Sequence, residues 1–349
     1  MEKLSVRWIN IGFQITAIIL ALLFTTITLV LSGAPPLEAY KNILLGAFGS
    51  FKQFSDVLVA WVPLLLATAG LLVTFTAGLW NIGIEGQITV GAIFTTGLLR
   101  MTLDSSLAPW LAIILAIIAG MLGGALWAAL AGLLKTYGGV NEIFGGLGLN
   151  FVATALTLWL IFGPWKRPGI GSMSGTEPFP ESVWLPQIEG LRLSPWTLVI
   201  AAIGVVVIYF LLQGTYFGLR LKAVGHNMRS AYILGVPTTR YLMLSFILCG
   251  VYAGLAGAVQ VLSVYHRLIP SISSGYGYLG LLVAMLVNYQ VLWMIPVSLF
   301  FAALNIGSIQ LPIVLKLDSA LAGVLQGALV LFVLMMDGAR QRFTERARR

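Results

Sequence analysis

The sequence predicts an all-α bundle of membrane-spanning helices, and three observations carry that expectation. Hydrophobic residues fill 59% of the 349 positions and charged ones only 9%, against about 25% charged in an ordinary soluble domain. Mean hydropathy is +0.96, so the chain could not cover its own surface in water. The apolar residues also fall in continuous runs. A helix needs roughly 20 of them to cross about 30 Å of hydrocarbon, whereas barrel strands would alternate over about ten.

Taken in order, the runs lie near 11–31, 57–79, 86–103, 108–134, 141–163, 196–212, 240–264, 277–289, 291–309 and 319–336, which predicts about ten crossings. Helices are forced there, because unpaired backbone N–H and C=O groups cost several kcal/mol each in lipid. The first run follows Lys3 and Arg7 as a signal peptide would. It is longer than the usual apolar region of such a peptide and no small-residue cleavage site follows, so it reads as a retained span. The eighth run is short, and 277–309 reads as a hairpin of short helices or a re-entrant pair.

With the N-terminus inside and the runs alternating, twelve of the 20 Lys and Arg fall on inner segments, including the five arginines from Arg340 to Arg349. The outer eight are spread over longer loops, so the bias predicts both termini in the cytoplasm. The net charge of +8 follows from this distribution and implies no nucleic-acid partner. A single cysteine, Cys249, rules out an intrachain disulfide, and with only two histidines a zinc site is not expected.

Two loops are long enough to matter. The outer one, 164–195, holds six of the fourteen prolines with Glu177, Glu181 and Glu189, and reads as an irregular external cap. The inner one, 213–239, is basic, and its stretch Leu219–Leu234 is helix-capable, closed by Gly235 and Pro237. It is too polar to span and should lie across the cytoplasmic face, where composition alone makes it a solvated connection held by anionic lipid.

Several polar residues break the membrane pattern. Glu85 sits in Asn81-Ile82-Gly83-Ile84-Glu85-Gly86-Gln87 between two strongly apolar runs. A buried carboxylate costs about 2.5–3.5 kcal/mol on insertion scales and usually faces a cavity or a partner. Asn81, Glu85 and Gln87 thus read as donors and acceptors of a translocation path; the alternative is a cytoplasmic turn in which Glu85 meets water. Glu142, Gly146, Asn150, Thr154 and Thr157, spaced by three and four, share one helix face. Asn150 and Thr154 read as solute-lining, with interhelical hydrogen bonding as the plain structural alternative. No phosphate-binding loop occurs, since the dipeptide Gly-Lys is absent. Energy for transport would therefore come from an ion gradient or another subunit.

These residues resemble a known family. Asn81 to Gln87 resembles the "N-x-G-I-E-G-Q" segment of bacterial ABC importer permeases serving branched-chain amino acids, ribose-like sugars and nucleosides. Gly218-Leu219-Arg220-Leu221-Lys222-Ala223-Val224-Gly225-His226-Asn227 resembles their "G-x-x-L-R-A-V-G-x-N" loop. Gly139-Val140-Asn141-Glu142 with Asn150, Gly254 to Ala258, and Gly275-Tyr276-Gly277 continue the match, over most of residues 75–285. The "G-V-N-E" run looks like the simple-sugar and nucleoside branch. The chain departs from that pattern at Asn227-Met228-Arg229 and at Tyr278-Leu279-Gly280, where Phe-Asp-Gly is common.

The resemblance implies a single permease domain over 1–349 in the bacterial plasma membrane. It would work with a second permease or as its own dimer, with ATPase subunits that bind the ATP, and with an external substrate-binding lipoprotein. It implies that the inner loop is a coupling helix meeting the ATPase through Arg220, Gly225, Asn227 and Arg229, and that this chain holds no cofactor and is not itself an enzyme. The expected cargo is a nucleoside or simple sugar. A branched-chain amino acid permease and an ion-coupled secondary transporter remain as alternatives.

Overall fold

The computed structural model describes residues 19–103, 105–167, 169, 175–287 and 290–316, with 16, 323–324, 326–328, 330–336 and 338–339 beyond them. Among the described residues every regular element is a helix. In chain order these are α1 (Ile19–Leu31), α2 (Pro36–Phe48), α3 (Phe51–Thr76), α4 (Ile84–Thr102), α5 (Pro109–Thr136), α6 (Glu142–Phe162) and α7 (Pro195–Gln213). They continue as α8 (Tyr216–His226), α9 (Met228–Ile233), α10 (Thr238–Val259), α11 (Tyr276–Leu286), α12 (Met294–Ser308) and α13 (Gln310–Leu315).

Against about ten expected crossings, six helical stretches among the described residues are long and apolar enough to cross a membrane. They are α3, α5, α6, α7, Thr238–Tyr265 and Val291–Leu315; the pair α1–α2, bent by 110°, would make a seventh if counted as one span. The expected third run is α4, but Glu85 and Arg100 lower its apolarity. The expected eighth is α11, whose 11 residues span only about 16 Å at 1.5 Å each. In the last expected run, 319–336, positions 319–322, 325 and 329 lie outside the described residues, as do Trp8, Arg7 and the arginine tail.

One helix was not foreseen. Residues 32–56 read as an external loop, yet Pro35 and Pro36 start α2, with proline where a helix's first N–H groups lack partners anyway. The apolar positions Ala39, Ile43 and Ala47 then fall on one buried face.

The chain forms two compact units, 1–57 with 300–349, and 58–299. In the first, Leu29, Ala34, Ala39, Ile43 and Leu311 make the core. The Tyr40 hydroxyl joins α2 to α1 by donating to the Leu22 carbonyl at 3.2 Å, and Gly46 lets α2 rest on Gly307.

In the second unit α3, α4 and α10 are the buried helices, and α5, α6 and α7 lie on its outside. Burial covers 83% of the most apolar stretch of α3 and 67% of that of α10, but only about a third of those of α5, α6 and α7. The outer helices turn Leu122, Leu126, Phe144, Trp159, Ile203 and Phe210 outward. Large apolar groups on the outside suit lipid and not water. Along α10, Gly250 and Gly254 rest on the backbone of α5 at Gly120 and Gly124, the close approach that small residues permit.

The inner loop is two helices where one was expected. Asn227 is extended, and its Oδ1 accepts from Ser230 N at 2.9 Å, so it ends α8 and caps α9. The loop 164–195 is irregular as expected, with a short turn at Glu181–Val183 among its described residues. It is nonetheless tied down. Thr176 N donates to Leu268 O at 2.9 Å, Phe179 N to His266 O at 2.8 Å and Leu185 N to Leu262 O at 3.0 Å. The Trp184 ring stacks on His266 with centroids 3.6 Å apart.

Candidate functional site

The site forms where three pieces of backbone meet: the start of α4, the middle of α6, and the irregular segment 266–275 that leads into α11. A cavity of about 280 Å³ lies between them, and Glu85, Asn150, Thr154, Ser271, Ser273 and Tyr278 are among the residues lining it.

The irregular segment is produced locally. After α10 the helix widens into a π turn, Gln260–Tyr265, a feature common at functional sites. His266 then takes a left-handed conformation with φ 53°. Buried non-helical backbone needs partners, and buried Gln260 supplies one by donating to Ile272 O at 3.1 Å. The Tyr265 hydroxyl shares a hydrogen bond of 2.9 Å with Ser274 Oγ. Ser274 and Gly275, both at positive φ, turn the chain into α11.

Gly275 has no side chain to cap α11, and a helix leaves its first N–H groups without partners. Glu85 fills that role from another helix. Its Oε2 accepts from Gly277 N at 2.7 Å and its Oε1 from Ser273 Oγ at 2.8 Å. A carboxylate there also meets the positive end of the helix dipole. Gly277 is required by this approach, since a Cβ at 277 would overlap Glu85 Oε2. Glu85 stands just after the turn that precedes α4, half-buried, with its carboxylate bound by the protein.

Asn150 is fixed in the same way. Its Oδ1 accepts from Gly86 N at 2.8 Å, and its Nδ2 donates to Ile82 O at 2.9 Å and to the Tyr278 hydroxyl at 3.3 Å. Thr154 lines the cavity, and its hydroxyl donates to Asn150 O at 3.0 Å. The polar face of α6 therefore packs on the start of α4, with Gly146 against Gly83. Thr157, on the same face, is buried and donates to Ala153 O at 2.8 Å. At the foot of that face, Glu142 pairs with Lys135 at 2.6 Å across the α5–α6 turn, and Asn141 caps α6 through Ile143 N.

Asn81 and Gln87 lie beside the cavity and not in its lining. They form a reciprocal amide pair, with Asn81 Nδ2 donating to Gln87 Oε1 at 3.1 Å and Gln87 Nε2 donating to Asn81 Oδ1 at 3.0 Å. Asn81 also donates to Cys249 Sγ at 3.1 Å. Both are essentially fully buried and brace the bend before α4. Sequence reasoning missed Ser271, Ser273 and Ser274 as lining residues, and it met Tyr278 only as a departure from a pattern. The available signal was two serines running into Gly275-Tyr276-Gly277 just before a run too short to span.

The residues expected to meet an ATPase lie away from the cavity, on α8 and α9. Arg220 and Arg229 are exposed, and Arg220 Nη1 donates to the Tyr241 hydroxyl at 3.3 Å. Asn227 is the cap described above. Gly225 seats α8 against the end of α3, where a Cβ would meet the Thr76 carbonyl and lie 3.0 Å from Gly78 N.

Comparison with known proteins gives this architecture a family. The chain is 28% identical over 340 residues to the glucose ABC transporter permease protein TsgB13 of Haloferax volcanii, covering 95% of this chain and 88% of that one. It is 26% identical over 320 residues to the guanosine ABC transporter permease protein NupP of Bacillus subtilis, covering 91% of each. It is 30% identical over 269 residues to the putative glucose ABC transporter permease protein TsgC13 of Haloferax volcanii, covering 75% of this chain and 79% of that one. Residues 53–334 match the family described as branched-chain amino acid transport system / permease component. The helical bundle of apolar spans around an internal polar cavity therefore belongs to a multi-pass membrane protein, and the chain is a member of that permease family.

Proposed function

We propose that this chain is the membrane-spanning permease of an ATP-driven ABC importer that passes a nucleoside or simple sugar. One observation carries the choice of cargo: no cation is among the described residues lining the cavity, so the carboxylate of an amino acid would meet no counter-charge there. An amino acid would bring an ammonium and a carboxylate, and each needs a partner once desolvated. Glu85, the one carboxylate in the lining, already accepts from Ser273 and Gly277. The N-terminus of α11, which would otherwise suit a solute carboxylate, is occupied by that same side chain. A neutral polar solute fits what remains, in agreement with the cargoes named for the glucose and guanosine relatives.

In this reading Glu85, Asn150 and Thr154 shape the path, and Asn81 and Gln87 hold its floor. The exposed cations Arg220 and Arg229 meet an ATPase, with Gly225 and Asn227 setting the position of the two helices that carry them. A short rigid element held by two spans can transmit a rigid-body push. Two permeases, two ATPase subunits and an external binding lipoprotein would complete the assembly in a bacterial plasma membrane. About ten crossings, with α4, α11 and the last run counted, would leave both termini in the cytoplasm.

The test is uptake into proteoliposomes by the co-purified complex with ATP inside or out as orientation demands, comparing labelled guanosine, D-glucose and L-leucine. Guanosine or glucose should accumulate and leucine should not. Accumulation of leucine alone, or uptake driven by a proton gradient without ATP, would defeat the proposal.

A further inference from the structure

We infer that the Tyr278 hydroxyl is the specificity-determining hydrogen-bond donor of the cavity, and that the solute it selects is an uncharged molecule bearing an acceptor at its centre. This deepens the proposed function and rests on it.

The polar side chains of the wall divide into those with partners and those without. Glu85 accepts from Ser273 and Gly277 and, as a carboxylate, has no proton to donate. The hydroxyls of Thr89 and Thr154 are turned back onto the carbonyls of Glu85 and Asn150. Ser274 is engaged by Tyr265 and Gln260. Asn150 is the informative group. Its Oδ1 must be the oxygen, because it accepts from Gly86 N, and its Nδ2 must be the nitrogen, because it donates to Ile82 O. The amide therefore cannot flip, and it presents an N–H to Tyr278. The Tyr278 oxygen is thus an acceptor in that contact. Its own proton has no acceptor among the described residues, and Tyr278 is an exposed residue that lines the cavity.

A phenol held in this way offers a solute one directed donor. The Ser271 hydroxyl also has no protein partner among the described residues, but it turns freely and serves as donor or acceptor alike. Selectivity accordingly belongs to Tyr278. A solute lacking the acceptor would strand the phenol O–H on entry, and a site built to hydrogen-bond its cargo discriminates sharply against one that cannot.

The experiment uses the full-length chain in lipid nanodiscs, titrated with tritiated guanosine, D-glucose and L-leucine. Wild type should bind guanosine or glucose. Tyr278→Phe should weaken that binding about tenfold, the usual value of one neutral hydrogen bond, with an unchanged melting curve, because Asn150 keeps Ile82 as its acceptor. Ser271→Ala should weaken it less. In wild type, the bound solute should also slow nitration of Tyr278, read by mass spectrometry of its peptide, which gives an answer even if the variant folds poorly. Equal affinity of Tyr278→Phe and wild type, or nitration indifferent to solute, overturns the role of Tyr278 and leaves the proposed function standing. Binding of leucine alone defeats the proposed function instead, and binding of none of the three at millimolar concentration defeats both.

Discussion

At the scale of single residues, the carboxylate of Glu85 decides how the site is built. It caps a helix to which it does not belong, and Gly277 leaves the space that it enters. Gly277→Ala should therefore displace the carboxylate and cost about 1–3 kcal/mol, the usual range for overpacking. Thermal unfolding of the purified protein in detergent reads this directly, and a midpoint equal to wild type would show that the carboxylate has room to spare. Glu85 itself was legible in the sequence as an acid between apolar runs. Its partners were not, because Ser273 and Gly277 lie 188 and 192 positions away. Asn81 and Gln87 were grouped with Glu85 by proximity in sequence. On a helix, positions two apart face different ways, so Gln87 turns to Asn81 while Glu85 turns to the cavity.

At the scale of elements, long apolar runs were legible and short amphipathic pieces were not. α3, α5, α6, α7 and α10 match their runs closely because lipid tolerates little else over such lengths. α2 escaped because Glu38 and Lys41 interrupt a segment too short to span, and the α8–α9 break escaped although Asn227 and Ser230 spell out a cap. The outer strap, 175–193, was read correctly as irregular, but its attachment to 262–268 depends on backbone partners that no local pattern reveals. His266 makes that attachment sensitive to pH. Burial under Trp184 pushes its pKa down to about 4, and the positive charge of Arg192 adds to the effect. Unfolded, the imidazole titrates near 6.5, so between these values the unfolded form binds the extra proton and the folded form does not. The stabilisation is complete above about pH 6.5 and is lost as pH falls towards 4. Limited proteolysis within the strap should speed up over that interval and do so less in His266→Phe; identical pH profiles for the two would disprove the link.

At the scale of the whole molecule, composition alone was enough to assign a lipid-embedded helical bundle, and the count of crossings was the weaker inference because α4 and α11 are respectively too polar and too short to look like spans. Orientation rests on basic residues. It can be measured cleanly because Cys249 is fully buried, with Asn81 donating to its sulfur, and so adds little background. A cysteine placed at Glu189 should react with an impermeant maleimide in intact cells, and one at Arg229 only after permeabilisation. The opposite pattern would invert the topology and with it the assignment of α8 and α9 to the ATPase side.

The clasp between α4 and the head of α11 also has a consequence for biogenesis. Glu85 leaves the ribosome 192 residues ahead of Gly277, so throughout that interval the nascent chain carries an unmatched acid that lipid will not accept. It must be kept hydrated, in the insertion machinery or in a water-filled fold, until the partner segment arrives. Closure of the clasp is therefore a late event in assembly, and a chain truncated before Gly277 would display to quality control a charge that the finished protein conceals.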